Sequence, residues 1–343
     1  MYSDDDADLA AVSQRNVAVL GFGGPAQAHA LSLRDSGVDV RIGLPESSPA
    51  RAAADAEGLR VLTPYEACEE ADLVALLAPG VAQRAVFAAA VEPNLVDGDA
   101  VLFADASNVR FGLVKPPDGV DVCLVCAQAP AAATRREFIE GRGVPVLVAV
   151  EQDASGAGWD LALSYAKAIG GTRAGALRTT FAEAADTALF ASLVVGGGVQ
   201  ALARVGYEAL LEAGYQPDVA FLQCSAELRN AAQVNGADGA SSGLAEYART
   251  LAGPELVDAA VKGRMRELLA GVTSGGVVAR FVEDQDAGAP HAARLRAGQR
   301  QHPSAQAGRD VLALLGWDPG SRGHSDEDDV LADDVDDPRS WLS

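Results

Sequence analysis

Residues 17–37 read VAVLGFGGPAQAHALSLRDSG, an apolar run that meets a glycine cluster and continues with helical character. No other stretch constrains the fold as tightly. The apolar run Val17–Leu20 suits a strand buried on both faces, and such strands belong to parallel sheets covered by helices. The turn that follows, Gly21-Phe22-Gly23-Gly24-Pro25-Ala26, fits the pattern GxGxx(G/A). Gly21 permits the tight turn, Gly23 lets backbone amides approach a pyrophosphate, and Ala26 is small enough for the helix to pack on the strand. The helix N-terminus then attracts phosphates through its amides and dipole. These six residues are the expected dinucleotide-binding turn.

The rest of the first half repeats the theme. NVAVLGF, VDVRIGL, LVALLAP, AVLFADA, VDVCLVCA and VPVLVAV are strand-like runs separated by helical stretches. Alternation of this kind predicts an α/β, doubly wound, mostly parallel sheet over residues 16–181. Beyond Thr180 the strand signals vanish and Ala/Leu/Val/Glu helical patterns run to Trp317, which predicts an all-helical second domain at 182–318. Residues 1–15 read as a flexible arm, and the acidic, Gly/Pro-punctuated 319–343 as a disordered tail.

Composition narrows the setting. The formal charge is −21, with 48 acidic residues against 27 Lys and Arg. Lysine occurs only at Lys115, Lys167 and Lys262. An acidic, lysine-poor surface stays soluble where salt screens repulsion, so a halophilic, cytoplasmic protein is expected. The same field argues against nucleic acid and anionic membranes as partners. No run looks apolar enough for a membrane span, and the acidic N-terminus lacks a signal pattern. Cys123 and Cys126 form a CxxC inside a strand-like run, where residues three apart face opposite ways and do not clasp a metal. The four histidines, His29, His291, His302 and His324, form no cluster in the sequence, and His29 reads as structural or phosphate-adjacent.

Nucleotide choice is set about 20 residues beyond the turn, at the tip of the second strand. There the chain reads RIGLPESSPAR, residues 41–51, with no acid at the strand tip to hold a ribose diol. Ser47, Ser48 and Arg51 suit a 2′-phosphate, although Glu46 opposes one. The expected cofactor is NADP, with NAD as the alternative.

Several segments together resemble the short-form ketol-acid reductoisomerases. They are GFGGPAQAHALSLRDSGVDVRIGL, SNVRFG at 107–112, RREFIEGRGVPVLVAVEQDASG at 135–156, YAKAIGGTRAG at 165–175 and TTF at 179–181. EALLEAGYQPDVAF at 208–221, AEY at 245–247 and HPSAQAG at 302–308 extend the likeness to residues 16–317. The resemblance implies a Rossmann-like domain followed by a helical reductoisomerase-type domain. It also implies NADPH- and magnesium-dependent chemistry in branched-chain amino-acid synthesis, and a homodimer formed through the helical domains.

The resemblance fails where that chemistry resides. The family holds two magnesium ions with four carboxylates, and its ligand positions here are Ala188, Ser192, Gln223 and Glu227. Hard dications require oxygen ligands, preferably anionic, so the metal expectation is none and magnesium is not expected to bind as in the family. The family's histidine aligns with Asp105 and its lysine with Gln128, while its substrate-contacting serine aligns with Ser242. Asn108 is expected at the cofactor. The leading expectation is an NAD(P)H-dependent oxidoreductase that reduces a small ketone, 2-keto acid or imine without two-metal isomerisation. Its pocket would comprise Asp105, Asn108, Gln128, Glu227 and Ser242. Asp105 would donate a proton if buried, or pair with a substrate amine. The alternatives are an active reductoisomerase converting 2-acetolactate to 2,3-dihydroxy-isovalerate at a rearranged site, and a non-catalytic nucleotide-binding homologue. A relocated metal site would draw on Glu183 and Asp186, three apart on one helix, with Asp105.

Overall fold

The computed structural model describes residues 1–233 and 244–315, together with Trp341. They divide into two compact units, the first running from Met1 to Ala185 and the second beginning at Asp186. The division falls a few residues after the expected 181/182.

The first unit is one eight-stranded sheet: β1 (Asn16–Leu20), β2 (Asp39–Gly43), β3 (Arg60–Leu62), β4 (Leu73–Leu76), β5 (Ala100–Phe103), β6 (Asp121–Ala127), β7 (Val146–Gln152) and β8 (Ala176–Arg178). Their spatial order is β3-β2-β1-β4-β5-β6-β7-β8. All neighbours pair in parallel except β6 and β7, which are antiparallel. The chain steps outward from β1 through β2 to β3, then returns to place β4 on the other side of β1. That reversal creates a crevice at the carboxyl ends of β1 and β4. Every residue of β4 and β5 is buried, as their unbroken apolar runs require. The short strands β3 and β8 escaped the pattern reading, because three residues carry too little periodicity.

The N-terminal arm is not loose. Tyr2 forms a bridge to Ala176, with Tyr2 N–H donating to Ala176 O at 2.7 Å and Ala176 N–H returning to Tyr2 O at 2.8 Å. Lys167 Nζ donates to the carbonyls of Asp4 and Ala7 at 2.7 and 2.9 Å. Thr172 Oγ1 donates to Asp4 Oδ1 at 2.6 Å. Polarity alone suggested a flexible segment; a free sheet edge at β8 and a lysine that captures carbonyls order it. Of the tail predicted as disordered, only Trp341 is described, and it is buried in the first unit's core; the remainder lies outside the described residues.

Inside the sheet–helix layer, His29 and Tyr165 are buried together, His29 Nδ1 lying 3.1 Å from Tyr165 Oη. Burial holds the imidazole down to about 4 from an ordinary 6.5, because an unpaired imidazolium is poorly solvated there. The unfolded chain therefore binds more protons between those two values, and stability falls as pH drops through that window, by about 3 kcal/mol. Urea midpoints for wild type and His29→Gln between pH 7 and 4 check this: the variant is expected to lack that part of the acid-side slope, and parallel profiles would refute the assignment.

The second unit is helical, with helices Gly197–Glu212, Pro217–Gln233, Leu244–Leu256, Ala259–Thr273, Gly276–Asp286, Pro290–Gln301 and Pro303–Leu315. Among its described residues, the buried apolar side chains are only Tyr207, Ala220, Val272, Ala307 and Val311. Phe181–Glu212 forms a continuous helical run of 32 residues, with an 18-residue stretch of mean hydropathy 1.6, long and apolar enough by length and composition to cross a membrane. The expectation that no segment reaches that threshold is thereby corrected. Helix Phe181–Ala191, the π-turn Ser192–Gly196 and helix Gly197–Glu212 join without a break, so glycines that read as a possible interruption lie inside one rod.

Candidate nucleotide site

The crevice at the carboxyl ends of β1 and β4 receives four segments: Gly21–Pro25, Leu77–Gly80, Asp105–Asn108 and Gln128–Ala131. Gly21 has φ +121°, a conformation open to glycine, and a methyl there would stand 3.0 Å from the Leu77 carbonyl oxygen and 3.3 Å from Ala26 Cβ. Its amide donates to Gly43 O at 3.2 Å, which ties the turn to the end of β2. Gly24 also has positive φ, +49°, and caps the helix Pro25–Asp35, with Pro25 in its first turn. Gly23 differs: a side chain there would meet nothing within 4 Å. Turn and helix are thus closely packed below Gly23 and open above it, which is the cradle a pyrophosphate needs. Phe22 contributes backbone only, since its ring is buried in the core.

At the tip of β2 the structure gives the three candidate 2′-phosphate residues different duties. Ser47 is exposed. Ser48 Oγ accepts from the amide of Ala50 at 3.3 Å. Arg51 Nη1 donates to Leu44 O at 2.7 Å and Leu62 O at 3.1 Å, so its guanidinium is held at the ends of β2 and β3. A cation fixed in this way suits a nucleotide phosphate, because little rotamer freedom remains to be lost.

Beside the turn lies a cavity of about 60 Å³, lined by Pro25, Ala28, His29, Ala104, Ala127 and Thr134 among others. Asp105 and Gln128 converge on one thiol near it. Gln128 Nε2 donates to Cys126 O at 3.1 Å and lies 3.3 Å from Cys126 Sγ. Burial, and after it the charge of Asp105, pushes the Cys126 thiol up. Cys123, the other half of the CxxC, is fully buried, and that burial raises its thiol to about 12. Asp105 is exposed, and its Oδ1 accepts the Ser107 amide at 2.7 Å. The burial on which a proton-donor role was premised is absent. Asn108, expected at the cofactor, is buried, its amide donating to Gly80 O at 3.1 Å and Gln83 Oε1 at 2.8 Å.

The four positions that the resemblance implies as metal ligands carry one carboxylate among them. Ala188 and Ser192 lie one helical turn apart, as do Gln223 and Glu227, and all four residues are exposed. One carboxylate, one amide and one hydroxyl do not replace four carboxylates around two dications, so this donor set does not fit the family's magnesium pair. Glu183 is engaged locally, with Oε2 accepting from Thr179 Oγ1 at 2.8 Å and its amide donating to Thr180 Oγ1 at 3.1 Å. No group of three or more His, Cys, Asp or Glu able to hold a metal ion occurs among the described residues. Ser242 lies outside them.

Two family models match the chain: "Acetohydroxy acid isomeroreductase, NADPH-binding domain" over residues 11–175, and "Ketol-acid reductoisomerase, C-terminal domain" over 181–317. The chain is 49% identical over 324 residues to the ketol-acid reductoisomerase (NADP(+)) of Kineococcus radiotolerans, covering 92% of this chain and 95% of that one. It is 48% identical to the enzyme of the same name from Beutenbergia cavernae, with the same coverage. Among solved structures, the NADH-preferring ketol-acid reductoisomerase from an uncultured archaeon superposes with a TM-score of 0.86 at 33% identity, covering 91% of this chain and 98% of that one.

Proposed function

The chain belongs to the ketol-acid reductoisomerase family, and on that premise we propose that it is an NADP(H)-dependent oxidoreductase of a small ketone, 2-keto acid or imine. One observation carries the proposal: a nucleotide turn whose Gly23 opens onto free space at the crevice between β1 and β4. The relatives' NADP(+) dependence and the fixed Arg51 support NADP, while the NADH preference of the solved relative makes NADH the competitor to measure beside it. When bound, the nicotinamide would supply hydride to the carbonyl or imine carbon, and solvent reaching the crevice beside the exposed Asp105 would supply the proton to oxygen or nitrogen. The turn amides hold the pyrophosphate. Asp105 and Gln128 orient the substrate's polar atoms, the exposed carboxylate suiting an ammonium or iminium group.

Whether alkyl migration precedes reduction divides two readings. The relatives at close to half identity, ketol-acid reductoisomerases by name, back the family's full reaction better than reduction alone; the resemblance implies that this reaction converts 2-acetolactate to 2,3-dihydroxy-isovalerate. The residues at positions 188, 192, 223 and 227 favour reduction alone, since the donor set is too poor for two dications. A non-catalytic nucleotide binder is the third outcome. One experiment separates them. NADPH oxidation is followed at high salt, as the acidic surface invites, with 2-acetolactate and then a panel of 2-keto acids and imines, with and without Mg2+. Turnover of panel members indifferent to Mg2+ is the expected result. Mg2+-dependent consumption of 2-acetolactate would establish the family reaction with ligands from elsewhere, and binding without turnover would leave a sensor.

We further propose a cytoplasmic homodimer. A helical unit whose described residues bury few apolar side chains around the small Tyr207, Ala220 and Ala307 cluster, with Val195, Leu202 and Val205 more than half exposed, gains apolar cover from a second copy. Light scattering at working salt is expected to return twice the 35.1 kDa chain mass; a monomer would refute it.

A further inference from the structure

Behind the nucleotide turn runs a chain of side-chain amides that the proposed reaction does not use. Asn108, on the short helix Ser107–Arg110, spends one amide hydrogen on Gly80 O at 3.1 Å and the other on Gln83 Oε1 at 2.8 Å. Gln83, on helix Gly80–Val86, spends its two on Leu76 O at 3.3 Å and Ala78 O at 2.9 Å. Both side chains are buried. All the amide hydrogens available from the pair are therefore used, and three of the four acceptors are carbonyls of the segment 76–80 that leaves β4.

That segment forms one wall of the nucleotide turn. Leu77 lies between the two carbonyls that Gln83 holds. Its amide donates to Leu20 O, the last residue of β1, at 3.1 Å. Its carbonyl oxygen occupies the place a side chain on Gly21 would take, 3.0 Å from the position of its Cβ. The chain thus runs from the Asp105 loop through Asn108 and Gln83 to Leu77, and by contact to Gly21. Buried amides with no spare hydrogen hold backbone in one place, because any shift leaves a donor or acceptor unpaired away from water.

We propose that Asn108 and Gln83 are a positioning pair for nucleotide binding: they fix the 76–80 wall against the glycine turn and couple it to the Asp105 loop, without touching the nucleotide. The proposal rests on the nucleotide-binding reading above.

The test is a double-mutant cycle on NADPH affinity, by fluorescence titration well below the melting temperature, with Gln83→Met, Asn108→Ala and the pair. Each single variant is expected to weaken binding about tenfold, the scale of one unpaired buried polar group. The double variant is expected to weaken it by the same factor, since both break one linkage. A merely structural pair would lower melting temperature and leave affinity unchanged. That result, or losses that multiply, would overturn the proposal. For variants that fail to fold, hydrogen exchange on wild type serves: NADPH is expected to slow exchange at 77–83 together with 21–26, and protection confined to 21–26 would overturn it. Wild type that binds neither NADPH nor NADH would sink the nucleotide reading itself, whereas binding wild type beside unaffected variants sinks only the positioning role.

Discussion

Gly23→Val is expected to fold normally and to lose nucleotide affinity by roughly a hundredfold, an effect of close to 3 kcal/mol. A side chain at position 23 meets no protein atom within 4 Å, so it costs the fold little and fills the space a pyrophosphate needs. Gly21→Val is the contrasting variant. There φ is +121° and the new Cβ would stand 3.0 Å from Leu77 O, so both backbone strain and overlap oppose folding. Strain alone costs about 1–3 kcal/mol, and the melting temperature is expected to fall several degrees. Paired thermal melts and NADPH titrations check both variants. Equal affinity for wild type and Gly23→Val would show that the nucleotide lies elsewhere, and an unaltered melt for Gly21→Val would show that the turn does not press on Leu77 as described.

Restoring the family's charge should create a metal response. The combined variant Ala188→Asp, Ser192→Glu and Gln223→Glu, beside Glu227, is expected to bind Mg2+ or Mn2+ at least about a hundredfold more tightly than wild type, since hard dications bind through anionic oxygens and affinity follows their number. Titration calorimetry, or Mn2+ paramagnetic resonance, reads the difference directly. All four positions are exposed, so the added carboxylates carry little desolvation cost. Wild type that already binds Mg2+ as tightly as the variant would mean that other residues supply the ligands. The relatives' full reaction would then be the better account of this chain.

Much of the first unit was legible because its signals are local. Six apolar runs separated by helical stretches marked β1, β2, β4, β5, β6 and β7, and the glycine turn marked the site. The short strands β3 and β8 were invisible because pairing partners, not periodicity, make them strands. The docked N-terminal arm was misread for the same reason: Asp4 and Tyr2 acquire their roles from Lys167, Thr172 and Ala176, more than 160 residues away. At the site, residue identity pointed to Asp105, Asn108 and Gln128, but identity does not disclose direction. Asp105 stays in solvent, Asn108 turns inward to Gln83, and Gln128 joins Cys126.

The amino-acid order by itself determined the mostly parallel sheet and the glycine turn, because each depends on which residue types stand at short spacings. Only the tertiary structure decided which polar groups face the crevice and which are spent holding it together. A hydrogen-bond donor must be satisfied wherever it is buried, and burial is a property of the packed chain.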